Sequence, residues 1–364
     1  MAIKTMRDME IEALSSNRAA RITLQDVAAR ADVSRSTASK VLNGRTDCWA
    51  SVAVRKRIEK AVADLGYRPN LSARALRSGR THLLGFVSPG FGVQSPHSRA
   101  GGLTEAAAQQ AYTVALASHP NDSASEDQAI CRLVDRSVDG IAVYPVDAGG
   151  PAGHVELRAL VARGFPVVTF DGASLLDFAC DDVSVDYAEV GRLQARHLLQ
   201  LGRRRVCMAT TNPAARSNAI REAAVRDELR KAGAPPPLEL SMDRPSMGEF
   251  FDAESLEAPF LDFIARHRGN FDSIVGHDGI ASIAIRLLLR AGLRVPFDVA
   301  VVGAGNGMLA SHGAIPITSV STADDAAGAL AFKLLMDRIN GQTAEPFRRL
   351  TQPATLLVRE STGG

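Results

Sequence analysis

Arg35, Ser36, Ser39 and Lys40 fall on the outward side of a short stretch whose Ala38, Val41 and Leu42 point inward at helical spacing. Guanidinium, ammonium and hydroxyl groups gathered on one exposed helix face can donate to phosphates and to guanine edges in a major groove. The elements that must position them occupy residues 23–43. Thr23 is suited to an N-cap with Asp26 in the first turn, and Leu24, Val27, Ala28 and Ala31 form a small apolar face. Asp32-Val33 supplies a turn, Ser34 can cap the second helix, and Asn43-Gly44 is a stop signal. Two short helices and a tight turn make a helix-turn-helix. Any helical hairpin can carry these residue types in the same way, so the charge distribution is the second signal.

Residues 21–80 hold 13 Lys and Arg against 5 Asp and Glu, an excess of eight in a chain whose net charge is +2. Residues 1–20 are balanced, which leaves −6 for everything after Arg80. A basic module on an otherwise acidic protein is the electrostatic footprint of nucleic-acid binding. Beyond residues 52–65, predicted as a third helix, come Gly66-Tyr67-Arg68-Pro69-Asn70 and Leu71-Ser72-Ala73-Arg74-Ala75-Leu76.

The run Thr-Leu-x-Asp-Val-Ala-x-x-Ala-x-Val-Ser-x-x-Thr-x-Ser-Lys-Val-Leu-Asn, followed by Leu-Gly-Tyr-Arg-Pro-Asn and a short Ala/Leu-rich segment, resembles the LacI/GalR family of bacterial transcriptional regulators. The resemblance extends over roughly residues 21–362. It implies that Arg35, Ser36 and Lys40 face the groove, that Thr23, Ser34, Thr37, Ser39 and Asn43 mainly touch phosphates, and that Leu24 also lies at the DNA. It also implies a hinge helix over 69–81 that folds on the operator, with Asn70, Ala73 and Leu76 at the DNA and Leu76 wedged between base pairs. One departure is the loop 46–51, which is longer than the family's and carries Trp49.

After the hinge, short apolar strands alternate with amphipathic helices in two successive sets, the signature of parallel sheets covered on both faces. The expected fold is α/β: an N-terminal three-helix helix-turn-helix domain (21–68), a hinge helix and linker (69–81), and two doubly wound parallel α/β subdomains of periplasmic-binding-protein type. The first subdomain is expected over about 82–181 and 322–341, and the second over about 182–321 and 342–364. Residues 1–20 lack an apolar h-region and read as a flexible N-terminal extension rather than a secretory signal. No run of 18 apolar residues exists. The four cysteines show no metal or redox spacing, which fits reduced thiols in the cytoplasm.

Catalytic readings find little support. The stretch Gly303-Ala304-Gly305-Asn306-Gly307-Met308 suggests a dinucleotide loop, but Met308 stands at the third glycine position and the strand is the last of its set. No phosphate-binding P-loop, zinc-protease or nucleophile-elbow motif is present, so neither an enzyme nor a cofactor or metal is expected. The resemblance instead implies a small effector, a sugar or related metabolite, between the subdomains. Arg221 matches the Arg of the family's Arg-x-x-Gly-Phe, with Ala224 and Val225 replacing Gly and Phe. Asp278 matches the Asp of Ala-Asn-Asp, with His277 replacing Asn, and Asp171 after strand 167–170 is a further candidate. Asp278 is equally placed to be only the N-cap of helix 279–291, Arg221 to be a solvated helix residue, and Asp171 to be a turn residue. Gly303-Ala304-Gly305-Asn306 stands where the family often has Gly-Phe-Asp-Asp, which leaves the effector class open.

The function expected is thus a repressor that binds near-palindromic double-stranded operator DNA as a homodimer and answers to that effector. A sugar-binding transport protein shares the core fold, but would need a signal peptide and no basic N-terminal module. With no leucine heptads after Val358, a coiled-coil tetramer is not expected.

Overall fold

Thr23 begins the first folded element with a capping box. Its backbone N–H and hydroxyl both donate to Asp26 Oδ2 at 2.7 Å, and Asp26 N–H returns to Thr23 Oγ1 at 3.4 Å. Helix α1 (Leu24–Arg30) ends at Ala31, and Asp32 turns the chain in the left-handed region at φ 52°. Ser34 Oγ then accepts from Thr37 N–H at 3.1 Å at the start of α2 (Arg35–Leu42). Helix α3 (Val52–Leu65) is capped by Ser51 and closed by Gly66 at φ 60°, with Tyr67 N–H bonded to Val62 O. Val27, Ala31, Val41, Ile58 and Ala61 form the core of these three helices. Arg57 ties α3 to the turn through Asp32 O at 3.3 Å.

The computed structural model describes residues 22–42, 50–68, 79–90, 94–146, 153–210, 215–242, 253–342 and 347–364, which belong to two compact units, Met1–Thr81 and His82–Gly364. The second unit contains two six-stranded sheets. The first is built from β1 (Leu83–Ser88), α4 (Gln94–Gln109), β2 (Thr113–Ser118), α5 (Ser123–Val134), β3 (Gly140–Val143), α6 (Val155–Ala162), β4 (Val167–Phe170) and β5 (Asp181–Val185). The second follows with α7 (Tyr187–Gln200), β6 (Val206–Thr210), α8 (Arg216–Lys231), β7 (Leu238–Ser241), α9 (Ala253–His267), β8 (Ser273–Val275), α10 (Asp278–Arg290), β9 (Ala300–Gly305), α11 (Met308–His312) and β10 (Thr318–Ser321). The chain then returns through α12 (Asp324–Ile339) and β11 (Arg349–Gln352) to β12 (Thr355–Leu357).

The strand orders are β2-β1-β3-β4-β5-β11 and β7-β6-β8-β9-β10-β12, all parallel except for β12 against β10. Both are doubly wound, with the strand order reversing between β1 and β3 and between β6 and β8. Ligands of such sheets sit beyond the carboxyl strand ends at these switch points.

The division between the lobes differs from the sequence expectation. Strand β5 completes the first sheet, and β11 pairs with it, Arg349 opposite Asp182, instead of joining the second lobe. The first crossing therefore follows Val185, not Asp181, and the third lies between Gln352 and Thr355, not near Gly341. Asp181-Asp182 looks like a polar turn in the sequence, yet both residues are fully buried. Arg338 grips Asp181 with two bonds of 2.8 and 2.9 Å, and Asp182 accepts from Thr169 Oγ1 and Gly172 N–H at 2.7 Å each. Buried carboxylates with this many donors can sit in a sheet.

Each crossing helix packs tightly on a helix of the lobe it enters. A methyl group on Gly191 of α7 would lie 2.1 Å from Arg221 O of α8, and one on Gly328 of α12 would lie 2.1 Å from Arg99 O of α4. Only glycine permits these backbones to approach so closely.

Candidate functional sites

In the first unit, the helix-turn-helix holds its polar face outward. Arg35, Ser36 and Lys40 are exposed, while Ala38 and Val41 of the same helix are buried. Ser34 Oγ lies 2.8 Å from both Ser36 Oγ and Thr37 Oγ1, so three hydroxyls cluster at the start of α2. Thr23 is exposed with its hydroxyl engaged in the cap, Leu24 is half-buried above it, and Ser39 is half-buried. This side of the helix can hydrogen-bond phosphates and base edges. Asn43, Asn70, Ala73, Leu76 and Trp49 lie outside the described residues.

In the second unit, the residues at the carboxyl strand ends gather around the first two crossings. Arg99, on α4 after β1, is fully buried. Its Nη1 donates to Asp171 Oδ2 at 2.7 Å and its Nε to Asp324 Oδ1 at 2.8 Å, and its guanidinium carbon is about 5 Å from the Tyr144 and Phe170 ring centres. Burial opposes the charge, but Asp171 and Asp324 outweigh it and hold the Arg99 pKa well above the usual arginine value. Asp171, in the left-handed region at φ 59°, also accepts from Tyr187 Oη at 3.0 Å and from Val185 N–H at 2.9 Å. Asp324 further accepts from Ser95 Oγ and Thr322 Oγ1 at 2.7 Å each. Arg99 thus ties the first crossing, through Asp171, to the second, through Asp324.

Across Tyr187, the second lobe presents Arg221, Asn218 and His277. Arg221 is 2% exposed, yet it has only a long 3.4 Å bond from Nη2 to Asn218 Oδ1, and Glu222 Oε1 stands 3.7 Å away. Its Nε and Nη1 are buried without a hydrogen-bond partner. Burial pushes the guanidinium down to about 10, with Glu222 and Tyr187 only partly compensating. His277 Nε2 meets Asn218 Oδ1 at 2.6 Å. Enclosure by protein, and secondarily the Arg221 charge, push the imidazole down and keep it neutral, although solvent reaches part of the residue.

Asp278 occupies a different place from the other three candidates. It is the first residue of α10, whose N-cap is His277, so it is not the cap of that helix. Its Oδ1 accepts from Ser319 Oγ at 2.6 Å and its Oδ2 from Gly307 N–H at 3.0 Å, and burial raises its pKa. Asn306, at φ 55°, accepts from Arg359 Nη2 at 2.6 Å through its Oδ1. Asp278 therefore clamps the 305–307 turn that ends β9. Gln194 supports the neighbouring strand ends by donating to Gly276 O and Gly303 O at 3.1 and 2.9 Å.

Sequence reasoning missed Arg99, Tyr144, Tyr187, Asn218 and Asp324. Arg99 lies on a helix that starts at Gln94, with Pro96 accommodated in its first turn. The available signal was position: Tyr144, Tyr187 and Asp324 lie just after a strand end, and Arg99 and Asn218 on the first turns of the helix that follows one, on the ligand side of a doubly wound sheet.

An exposed donor-rich helix on a small three-helix unit, and a two-lobed α/β core with polar groups between its lobes, define a ligand-responsive DNA-binding protein. Residues 23–70 match the model for bacterial regulatory proteins of the lacI family, and residues 195–362 match that for a periplasmic binding protein-like domain. The transcriptional regulator PtxS of Pseudomonas aeruginosa is 30% identical over 347 residues, covering 94% of this chain and 96% of that protein. CelR of Thermobifida fusca is 29% identical over 356 residues, with 94% and 98% covered. Among solved structures, a lac repressor dimer bound to operator and the anti-inducer ONPF superposes with a TM-score of 0.77 at 22% identity, covering 94% of this chain and 99% of that one. A CelR–cellobiose complex gives 0.64 at 28% identity, with 94% and 100% covered. The chain belongs to the LacI family of bacterial regulatory proteins and is a DNA-binding transcriptional regulator. Among its described residues, no helix is long and apolar enough to cross a membrane.

Proposed function

We propose that the protein is a cytoplasmic repressor that binds a near-palindromic operator as a homodimer and changes its operator affinity when a small effector enters between the lobes of the core. The observation that carries the effector reading is Arg221, a fully buried guanidinium with two unpaired donor atoms beside Asn218 and His277. Burying such a group without a partner is costly, and protein interiors rarely leave one unless something else supplies the acceptor. The solved relatives include a dimer on operator and a complex with cellobiose, which support the same reading.

Arg35, Ser36 and Lys40 read bases in this scheme, Thr23, Ser34, Thr37 and Ser39 hold phosphates, and Leu24 lies at the DNA. Arg221, His277 and Asp171 surround the effector, and Asp278 acts by holding the 305–307 turn. Coupling runs through the crossings. Asp171 bonds Val185 N–H and Tyr187 Oη at the first, and Asp324 bonds Thr322 at the second. A ligand that bridges Arg221 of the second lobe and Arg99 Nη2 of the first changes the spacing of the lobes. It shifts operator affinity only by its difference in affinity for the two arrangements.

The test is a thermal-shift screen over sugars, sugar acids and nucleobases, followed by operator titration with each hit. A ligand at a hundredfold over its Kd should add about 2.7 kcal/mol of stability and change operator affinity. Calorimetry should then show weakened effector binding in Arg221→Ala and Asp278→Ala. Unchanged effector Kd in both variants would mean that the ligand sits elsewhere.

A further inference from the structure

The polar groups between the lobes differ in what they still have to offer. Asp171 is the acidic residue placed to accept hydroxyl groups, but Arg99 Nη1, Tyr187 Oη and Val185 N–H already occupy it. Asn218 Oδ1 faces both His277 Nε2 and Arg221 Nη2. Asp278 is taken by Ser319 and Gly307, and Asp324 by Arg99, Ser95 and Thr322. Three donors are left over, Arg221 Nε and Nη1 and Arg99 Nη2, against one carboxylate oxygen beside them, Glu222 Oε1, all buried without hydrogen-bond partners. A sugar hydroxyl both donates and accepts, whereas a site with more spare guanidinium N–H groups than spare acceptors matches a ligand rich in acceptors.

The charges agree with this. Arg99 is matched by two carboxylates, whereas Arg221 has only Glu222 at 3.7 Å, and Glu222 is shared with Arg226 at 3.5 Å. Tyr187 and His277, the other titratable groups facing Arg221, are neutral: burial raises the Tyr187 phenol far above its ordinary value, and the imidazole is pushed down. A buried cation without a hydrogen-bonded anion is a site waiting for one.

Resting on the reading of this region as the effector site, we propose that the effector carries an oxyanion, a carboxylate or a phosphate, held by the unpartnered Nε and Nη1 of Arg221. These two N–H groups point to different sides of the guanidinium, so each can give one charge-assisted hydrogen bond to an oxyanion oxygen. Specificity for the acid over its neutral counterpart follows, because a neutral ligand would leave the guanidinium facing only Glu222, which is not hydrogen-bonded to it and is shared with Arg226.

Thermal melting of the full chain is compared with gluconate, glucose 6-phosphate, inorganic phosphate and glucose. Gluconate or glucose 6-phosphate should stabilise the protein more than glucose, and which of the two does so separates carboxylate from phosphate. Arg221→Gln should weaken that binding by about 10- to 100-fold, the loss of a charged hydrogen-bond pair, with Arg221→Lys intermediate. Without ligand, Arg221→Gln should melt at or above the wild-type temperature, since it removes an uncompensated buried charge. A variant melting several degrees lower would show Arg221 to be a structural ion and overturn the proposal. Stabilisation by glucose alone, or by none of the four, overturns it as well. The effector reading itself fails only if operator affinity is also unmoved by the whole panel of sugars, acids and nucleobases, so the two failures are distinguishable.

Discussion

Arg35 is exposed and charged, and in the proposed reading it donates to a base edge. Arg35→Ala should cost about 1–3 kcal/mol on the cognate operator and relax preference at one base position. A binding selection from randomised operators reads both effects, and an unchanged base preference would remove Arg35 from base reading. A second residue-scale prediction concerns His154 and Glu126, buried together in the first lobe with His154 Nδ1 2.5 Å from Glu126 Oε1. Burial pushes the imidazole down, but the carboxylate raises it by more, and the net shift is upward. A raised folded value means that the pair's contribution is complete below the unfolded pKa of about 6.5 and fades as pH rises through the folded one. Melting temperatures should therefore fall across that window in the wild type and show a smaller slope in Glu126→Gln. Equal slopes would show that the pair does not titrate there.

At the scale of elements, the arginine-bearing helices owe their positions to glycines on the crossing helices. Gly191 lies against Arg221 O and Gly328 against Arg99 O, where backbone is the obstacle and cannot move aside like a side chain. Gly191→Ala and Gly328→Ala should each destabilise the core by roughly 1–3 kcal/mol, the range for overpacking. Denaturant titration measures this, and a loss below about 0.5 kcal/mol would mean that the helices can separate without cost. Gly191→Ala should also weaken effector binding, because α8 would carry Arg221 outward with it.

The whole molecule separates its charge, with an excess of eight positive charges over residues 21–80 and −6 after Arg80. Operator affinity should consequently fall steeply and log-linearly with salt, by roughly 0.9 in slope for each phosphate neutralised. Replacing a lysine or arginine that touches a phosphate should lower that slope by about one. Arg35→Ala, if Arg35 reads a base, should change affinity with a smaller change in slope. Titrations at several salt concentrations decide between the two roles. The acidic remainder repels DNA and restricts binding to the basic module.

The helix-turn-helix was legible residue by residue, because its caps, turn and apolar spacing are all local. Thr23 with Asp26, Asp32 at the turn and Gly66 at the end of α3 stand where their chemistry requires. The alternation of strands and helices likewise announced doubly wound sheets, since buried parallel strands need continuous apolar runs. What the sequence could not reveal was pairing across long separations. Asp181 finds Arg338 at the other end of the chain, which turns an apparent polar turn into a buried strand and moves the lobe boundary. In the sequence Asp278 reads as a ligand or a cap, yet Ser319 and Gly307 occupy it, and Arg99 is fixed by Asp171 and Asp324, which lie 72 and 225 residues away. Local propensity is written in neighbouring residues. Whether a buried charge is satisfied depends on groups that only the tertiary fold brings within hydrogen-bond reach, and that difference separates the occupied carboxylates Asp171, Asp278 and Asp324 from the unpartnered N–H groups of Arg221.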